Sequence, residues 1–259
     1  MGDFAGVKTL RADSSVIFGF RGIPVPLRLI EAAAPGMELL LDDGKIRVRV
    51  LSRGQGQILG HVEQGGKLSP RKSIALPEGS IPMPTLTETD KANLSEAASC
   101  GVTGVMLPFV RSREDVMELR HVLKQKGLGH VKVFAKIENR QGMESLAGLV
   151  QDVDEVVIAR GDLGNAMPLW ELPAAQENIG RICKDAGVPF MIVTQMLDSM
   201  ERRPVPTRAE VSDIFRAVAQ GASSLMLTGE TAVGAYPVEA MGYLVKTAKA
   251  SQEYLNENC

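Results

Sequence analysis

From Pro84 onward the chain repeats one unit: a short apolar run, an amphipathic stretch, then another apolar run. The runs fall at 105–110, 133–137, 155–159, 190–194 and 224–227. Amphipathic stretches lie between and after them, at roughly 88–100, 112–126, 141–151, 174–186, 208–220 and 237–255. Start signals support the helices. Thr87 with Asp90, and Thr207 with Glu210, have the spacing at which a hydroxyl and a carboxylate cap a first turn reciprocally. Stop signals follow, because Gly101, Gly127, Gly187 and Gly221 each sit just past a predicted helix, where a left-handed residue ends it. Strands apolar on both faces, alternating with helices, imply a parallel sheet.

Before Pro84 the pattern differs. Short β-rich pieces at 15–20, 37–41, 45–50 and 57–62 are separated by turn signals such as Asp43-Gly44 and Gly65-Gly66. Helical periodicity is weak there. The expected organisation is therefore a small β domain over 1–84 and an α/β domain over 85–259. The fold class is α/β, a partial (β/α) barrel with a small N-terminal β domain. A barrel is preferred to an open sheet because polar residues gather at the strand ends, where barrel enzymes place their chemistry.

Composition sets limits on function. A net charge of −2 gives no electrostatic support to a nucleic-acid or membrane role. Cys100, Cys183 and Cys259 have no metal-ligand or redox spacing and read as free thiols of a reducing compartment. Neither a leader nor a membrane-length apolar run is visible. The expectation is a cytoplasmic protein.

The segment VFAKIENRQG (133–142) places Lys136 and Glu138 in an otherwise apolar strand. Alternation puts both on one face. The following strands end in Arg160-Gly161-Asp162-Leu163-Gly164, Thr194-Gln195 and Thr228-Gly229-Glu230-Thr231. Glu138 and Asp162 offer hard oxygen ligands suited to Mg²⁺. Lys136 is then a point charge beside a metal-bound anion. Gly161 allows close backbone approach, and the amides near Asp162 could donate to an anion. The competing reading of Lys136 and Glu138 is an ordinary ion pair at a strand end. Several strand ends behaving alike argue against it. His121 reads as a solvated helix residue, and Met191, Met196 and Met200 read as core. Trp170 is expected to pack.

Five segments together resemble pyruvate kinase: AKIEN (135–139), ARGDLG (159–164), TQMLDSM (194–200), PTRAEVSD (206–213) and LTGETAVGAYPVEA (227–240). Upstream, LLLDDGKIRVRV (39–50), LSPRKSIALP (68–77) and PTLTETD (84–90) resemble that family's inserted β domain and its return to the barrel. The resemblance implies phosphoryl transfer between phosphoenolpyruvate and ADP, with Mg²⁺ or Mn²⁺, so that the expected partners are phosphoenolpyruvate or a pyruvate-like keto acid and ADP/ATP. By matching motif, Lys136 would stabilise the transferring phosphoryl group and the enolate. Glu138 and Asp162 would hold the metal. Arg160, Gly161 and Asp162 would contribute backbone contacts around the substrate carboxylate, joined by the Thr194 hydroxyl. Thr194 and Thr228 would lie on the proton route to the enolate, and Lys72 would face the nucleotide.

The sequence also departs from the family pattern. It begins where the family's third barrel strand ends and stops after the eighth helix. The first three strands, with the phosphate-binding arginine and the monovalent-cation site, are therefore expected to be missing, as is the C-terminal domain. Asn165 and Ala166 replace an aliphatic residue and a glutamate after GDLG, and Leu107-Pro108 precede Phe109-Val110 in place of a small residue and serine. Val205 stands where a basic residue is common, and Thr228 replaces a serine but keeps the hydroxyl. Unpaired barrel edges are expected to be met in one of three ways: a homo-oligomer, a complementing chain, or residues 1–84 covering the gap. Two further readings stay open. One is metal-dependent enolisation, decarboxylation or aldol chemistry on a pyruvate-like keto acid. The other is a non-catalytic partial subunit.

Overall fold

The computed structural model describes residues 1–42, 44–77 and 83–258. Asp43 of the expected Asp43-Gly44 turn and Cys259 lie outside the described residues. The chain divides into two compact units: Met1–Pro84 with Gly164–Leu169, and Thr85–Leu163 with Trp170–Cys259.

The first unit is built on antiparallel strands. β1 (Lys8–Leu10) pairs with β6 (Gly66–Leu68). β2 (Ser15–Gly19), β3 (Glu38–Leu41), β4 (Ile46–Gly54), β5 (Gln57–Gln64) and β7 (Ile74–Ala75) form a sheet in the order β2-β5-β4-β3-β7. The alternation in β4 buries Ile46, Val48 and Val50 and turns Arg47 and Arg49 the other way, as a two-residue period requires. Arg47 meets Glu38 at 2.6 Å and Arg49 meets Glu63 at 2.9 Å, the latter across the β4–β5 pair. A short helix, α1 (Leu27–Ala32), buries Leu29 and Ile30. Its few residues fall below the length at which helical periodicity is legible, so its sequence pattern did not announce it.

The second unit carries the parallel strands β8 (Gly104–Leu107), β9 (Lys132–Ile137), β10 (Glu155–Ala159), β11 (Phe190–Val193) and β12 (Ser224–Met226). Their order is β12-β11-β10-β9-β8, all parallel. Alternating with them are α2 (Glu88–Glu96), α3 (Arg113–Gln125), α4 (Arg140–Leu149), α5 (Arg160–Asn165), α6 (Leu172–Ala186), α7 (Arg208–Ala219), α8 (Gly229–Ala232) and α9 (Pro237–Asn258). This is the sheet of a partial (β/α) barrel, with β8 and β12 as its edges.

Local signals act as the sequence indicates. Both capping boxes form: Asp90 N–H donates to Thr87 Oγ1 at 3.1 Å, and Thr87 N–H to Asp90 Oδ2 at 2.7 Å. The Thr207–Glu210 box is the same. Gly101, Gly127, Gly187 and Gly221 all have φ between 66° and 85°, the region an L-residue with a Cβ resists. One face of the parallel sheet is fully apolar, with Val133, Ala135, Ile137, Val156, Ile158 and Ile192 buried. On the other face Val157, Ala159 and Val193 form a small cluster against Phe134, Met191 and Met226. Met196 and Met200 are buried, as expected. Trp170 is not packed: it is 83% exposed. It sits in a single 3-10 turn, Leu169–Glu171, and the residues that α6 buries begin only at Ala175.

Candidate functional site

Strand register gathers the polar residues at the C-terminal ends of β9, β10 and β11. Ile137 pairs with Ile158, and Ala159 with Val193. Glu138 therefore follows β9 at the level where β10 ends. Arg160-Gly161-Asp162 begin α5 directly after β10, and Thr194 follows β11.

Glu138 is 3% exposed. Its Oε1 lies 2.6 Å from Lys136 Nζ, and its Oε2 accepts the Phe109 N–H at 2.7 Å. Lys136 retains 25% side-chain exposure, against 1% for Glu138. Oε1 makes a close ion pair yet receives no hydrogen bond of regular angle. A buried carboxylate oxygen in this state has unused capacity for a cation. The two-residue spacing on a strand is what lets both side chains meet on one face. Asn139 caps α4 by accepting Gly142 N–H at 2.7 Å. A Cβ on Gly142 would meet Val110 O at 2.2 Å, so glycine is required there for α4 to start against the loop after β8.

The second cluster joins α5 to the loop after β11. Gly161 N–H donates to Thr194 Oγ1 at 2.7 Å, and the Thr194 hydroxyl donates to Val193 O at 2.6 Å. A Cβ at Gly161 would meet Thr194 only at ordinary contact distance, 3.5 Å, so packing within the chain does not demand a glycine there. The Arg160 guanidinium turns onto Thr194 O, Gln195 O, Met196 Sδ and Asp213. Its side chain is thus engaged within the protein, and only its backbone is free for the substrate role that the family resemblance implies. Asp162 lies in the first turn of α5.

Glu230 was not singled out in the sequence. It is 1% exposed; its Oε1 accepts Leu197 N–H at 2.9 Å and its Oε2 accepts Thr228 N–H at 2.8 Å. Among the described residues it has no cationic partner. The carboxylate ties the β11 loop to the β12 loop and holds Thr228. Only its place between Thr228 and Thr231 marked it, and a backbone-to-carboxylate bond across 33 residues has no local signature.

Strained backbone also occurs at these strand ends, as it does at Asp13, Asp42, Gln55 and Arg71 in the first unit. Phe109, Thr194 and Gln195 have φ of 52°, 69° and 53°. Such left-handed conformations in non-glycine residues are costly and persist where surrounding structure fixes them.

Lys72 belongs to the first unit. Its Nζ lies 2.9 Å from Oδ1 of Asp42, a buried residue, which also meets Lys45 at 3.7 Å. Among the described residues no group of three or more His, Cys, Asp or Glu could hold a metal ion. Glu138 Oε1, which accepts no hydrogen bond, could take a hard cation. No helix among the described residues is long and apolar enough to cross a membrane.

Comparison with known proteins agrees with this architecture. A family model described as the barrel domain of pyruvate kinase matches residues 23–241. The pyruvate kinase of Methylorubrum extorquens is 40% identical over 227 residues, 88% of this chain and 46% of that protein. Agrobacterium vitis has one 38% identical over 237 residues, covering 91% and 48%. That of Methanocaldococcus jannaschii is 38% identical over 228 residues, covering 88% and 51%. The chain spans about half the length of the curated relatives it matches.

Proposed function

This chain belongs to the pyruvate kinase family, and from that premise we propose that the strand ends of its parallel sheet form a divalent-metal and keto-acid site for phosphoryl transfer between phosphoenolpyruvate and ADP. The pair formed by Lys136 and buried Glu138, 2.6 Å apart, carries this reading. A carboxylate this secluded is costly unless its charge is used, and the remaining half of its coordination faces a partly exposed ammonium.

Glu138 and Asp162 would hold Mg²⁺ or Mn²⁺. When bound, such an ion supplies Lewis-acid stabilisation to substrate oxygens. The Lys136 ammonium would stabilise negative charge developing on the phosphoryl group and the enolate, a preorganised electrostatic role. Thr194 presents a hydroxyl already held by Val193 O and Gly161 N–H. A substrate carboxylate would accept from the Thr194 hydroxyl and the Gly161 N–H in place of these partners. Thr228, its amide fixed by Glu230, would serve with Thr194 on the proton route to the enolate. Lys72, as a nucleotide contact, and the domain boundary at residue 84 belong to the same proposal.

Calorimetric titration of oxalate, an enolpyruvate mimic, tests the reading with and without Mn²⁺. Metal-dependent binding is expected in the unmodified chain and should be lost in Glu138→Ala and in Asp162→Ala. Undiminished binding in both variants would remove the assigned site.

Enolisation of a keto acid without phosphoryl transfer is a second reading. It is favoured because Lys136, Glu138, Asp162, Thr194 and Thr228 all belong to the described strand ends, and this chemistry needs only a metal and a proton route. Deuterium exchange into pyruvate without ADP distinguishes it. Two sheet edges, β8 and β12, support association with another copy or with a longer homologue, which a solution mass would reveal.

A further inference from the structure

Thr194 and Gln195 are consecutive left-handed residues, with φ of 69° and 53°. Neither is glycine, so the turn needs outside support. One side chain supplies it. Arg160 donates from Nη2 to Thr194 O at 3.0 Å and Gln195 O at 3.2 Å, and from Nε to Thr194 O at 3.3 Å. The same Nη2 lies 3.0 Å from Met196 Sδ. On its other side Nη1 donates to Asp213 Oδ2 at 2.6 Å. The Arg160 side chain is only 10% exposed, and the planar fork of a guanidinium suits two carbonyls and a carboxylate at once. Asp213 comes from α7, well away from the strand ends in sequence.

We propose that Arg160 and Asp213 form a clamp that positions Thr194: Asp213 orients and neutralises the guanidinium, which holds the left-handed turn so that Thr194 Oγ1 faces Gly161 N–H. Both are positioning residues. The clamp's consequence for a ligand rests on the keto-acid reading above; the clamp itself does not.

Gly161 provides a direct reporter. As the second residue of α5, its N–H has no partner in the preceding turn, and Thr194 Oγ1 accepts it. Amide hydrogen exchange by NMR, on the whole chain, therefore reads the turn. In Asp213→Asn and in Arg160→Lys we expect Gly161 to exchange at least about tenfold faster, a local opening, while Ile158 and Ile192 in the sheet keep their protection. Asp213→Glu should restore part of the protection, and Asp185→Asn, which removes an exposed ion pair on α6, should leave Gly161 unchanged. Metal-dependent oxalate affinity should fall in the two clamp variants. Where Asp213→Asn does not fold, Arg160→Lys gives the same readout with the charge retained. Unchanged Gly161 exchange in the clamp variants overturns the proposal, as does equal loss of protection throughout the sheet. Faster exchange with undiminished oxalate affinity overturns the positioning role and leaves the family reading intact. Lack of oxalate binding by the unmodified chain strikes that reading alone, and exchange at Gly161 still decides the clamp.

Discussion

The antiparallel sheet of the first unit and the strand ends of the second handle charge in opposite ways. On the first, Arg47 and Arg49 meet Glu38 and Glu63 on the polar face of the sheet, with side-chain exposures from 18% to 46%. Water shares each charge, and such pairs contribute roughly 0–1 kcal/mol. At the strand ends, Glu138 and Glu230 are almost completely enclosed. Glu138 has one cation and one amide; Glu230 has two amides. Enclosure makes these carboxylates costly for stability and leaves them to hold the loops whose amides they accept. The difference teaches that the position of a carboxylate, rather than its presence, separates a solubilising residue from a working one.

The largest effect that could break this contrast is at Glu138. Glu138→Gln should reduce metal-dependent oxalate affinity by about 100-fold or more, since the proposed metal ligand loses its charge, while thermal stability changes little because the glutamine carbonyl can still accept the Phe109 N–H and the partly exposed Lys136 ammonium can turn to water. A large loss of stability with intact binding would make Glu138 a structural residue and not a ligand-binding one. Next, Ile158→Ala in the apolar layer of the parallel sheet should cost about 2–5 kcal/mol in urea unfolding, through the cavity it leaves; a cost under about 1 kcal/mol would mean that this layer is loosely packed.

A smaller effect is expected at Asp115. Burial raises its pKa, but hydrogen bonds from the Arg111 side chain, Thr85 and the Arg111 amide outweigh this and hold the carboxyl below its usual value. A depressed folded-state pKa stabilises above the unfolded value, about 3.9, and that stability is lost as pH falls through the folded value. The stability difference between the unmodified chain and Asp115→Asn should therefore be present at neutral pH, roughly 1–3 kcal/mol, and shrink below about pH 4. A difference constant down to pH 2 would contradict the assignment. Smallest of all, Arg49→Ala on the antiparallel sheet should cost no more than about 1 kcal/mol and fade further in high salt, as urea midpoints at two ionic strengths would register.

Much of the fold was legible because its signals are local. The Thr87 and Thr207 boxes and the terminating glycines act over a few residues, so the sequence order of the helices could be read directly. The strands of the parallel sheet were visible as apolar runs because one face is buried and the other carries Val157, Ala159 and Val193 against partly buried apolar neighbours. Alternation alone put Lys136 and Glu138 on one face; the close ion pair they make belonged to the competing reading. Trp170 was misjudged because a large aromatic is expected inside, and only the path of the 3-10 turn leaves it outside. The short α1 offered too little periodicity. Cys183 illustrates a further limit: its spacing showed a free thiol, but only burial, which pushes its pKa up to about 12, shows that it is unreactive as a thiolate.

By itself the sequence determined the alternation of strands and helices, the caps that bound them and the identity of the groups at the strand ends, because each depends on residues a few positions apart. Tertiary structure alone decided that Arg160 grips a turn 34 residues away, that Glu230 ties two loops together, and that Lys72 rests on Asp42. Contacts of that kind depend on how strands register and how completely side chains are enclosed, and neither register nor enclosure is written in any short stretch of chain.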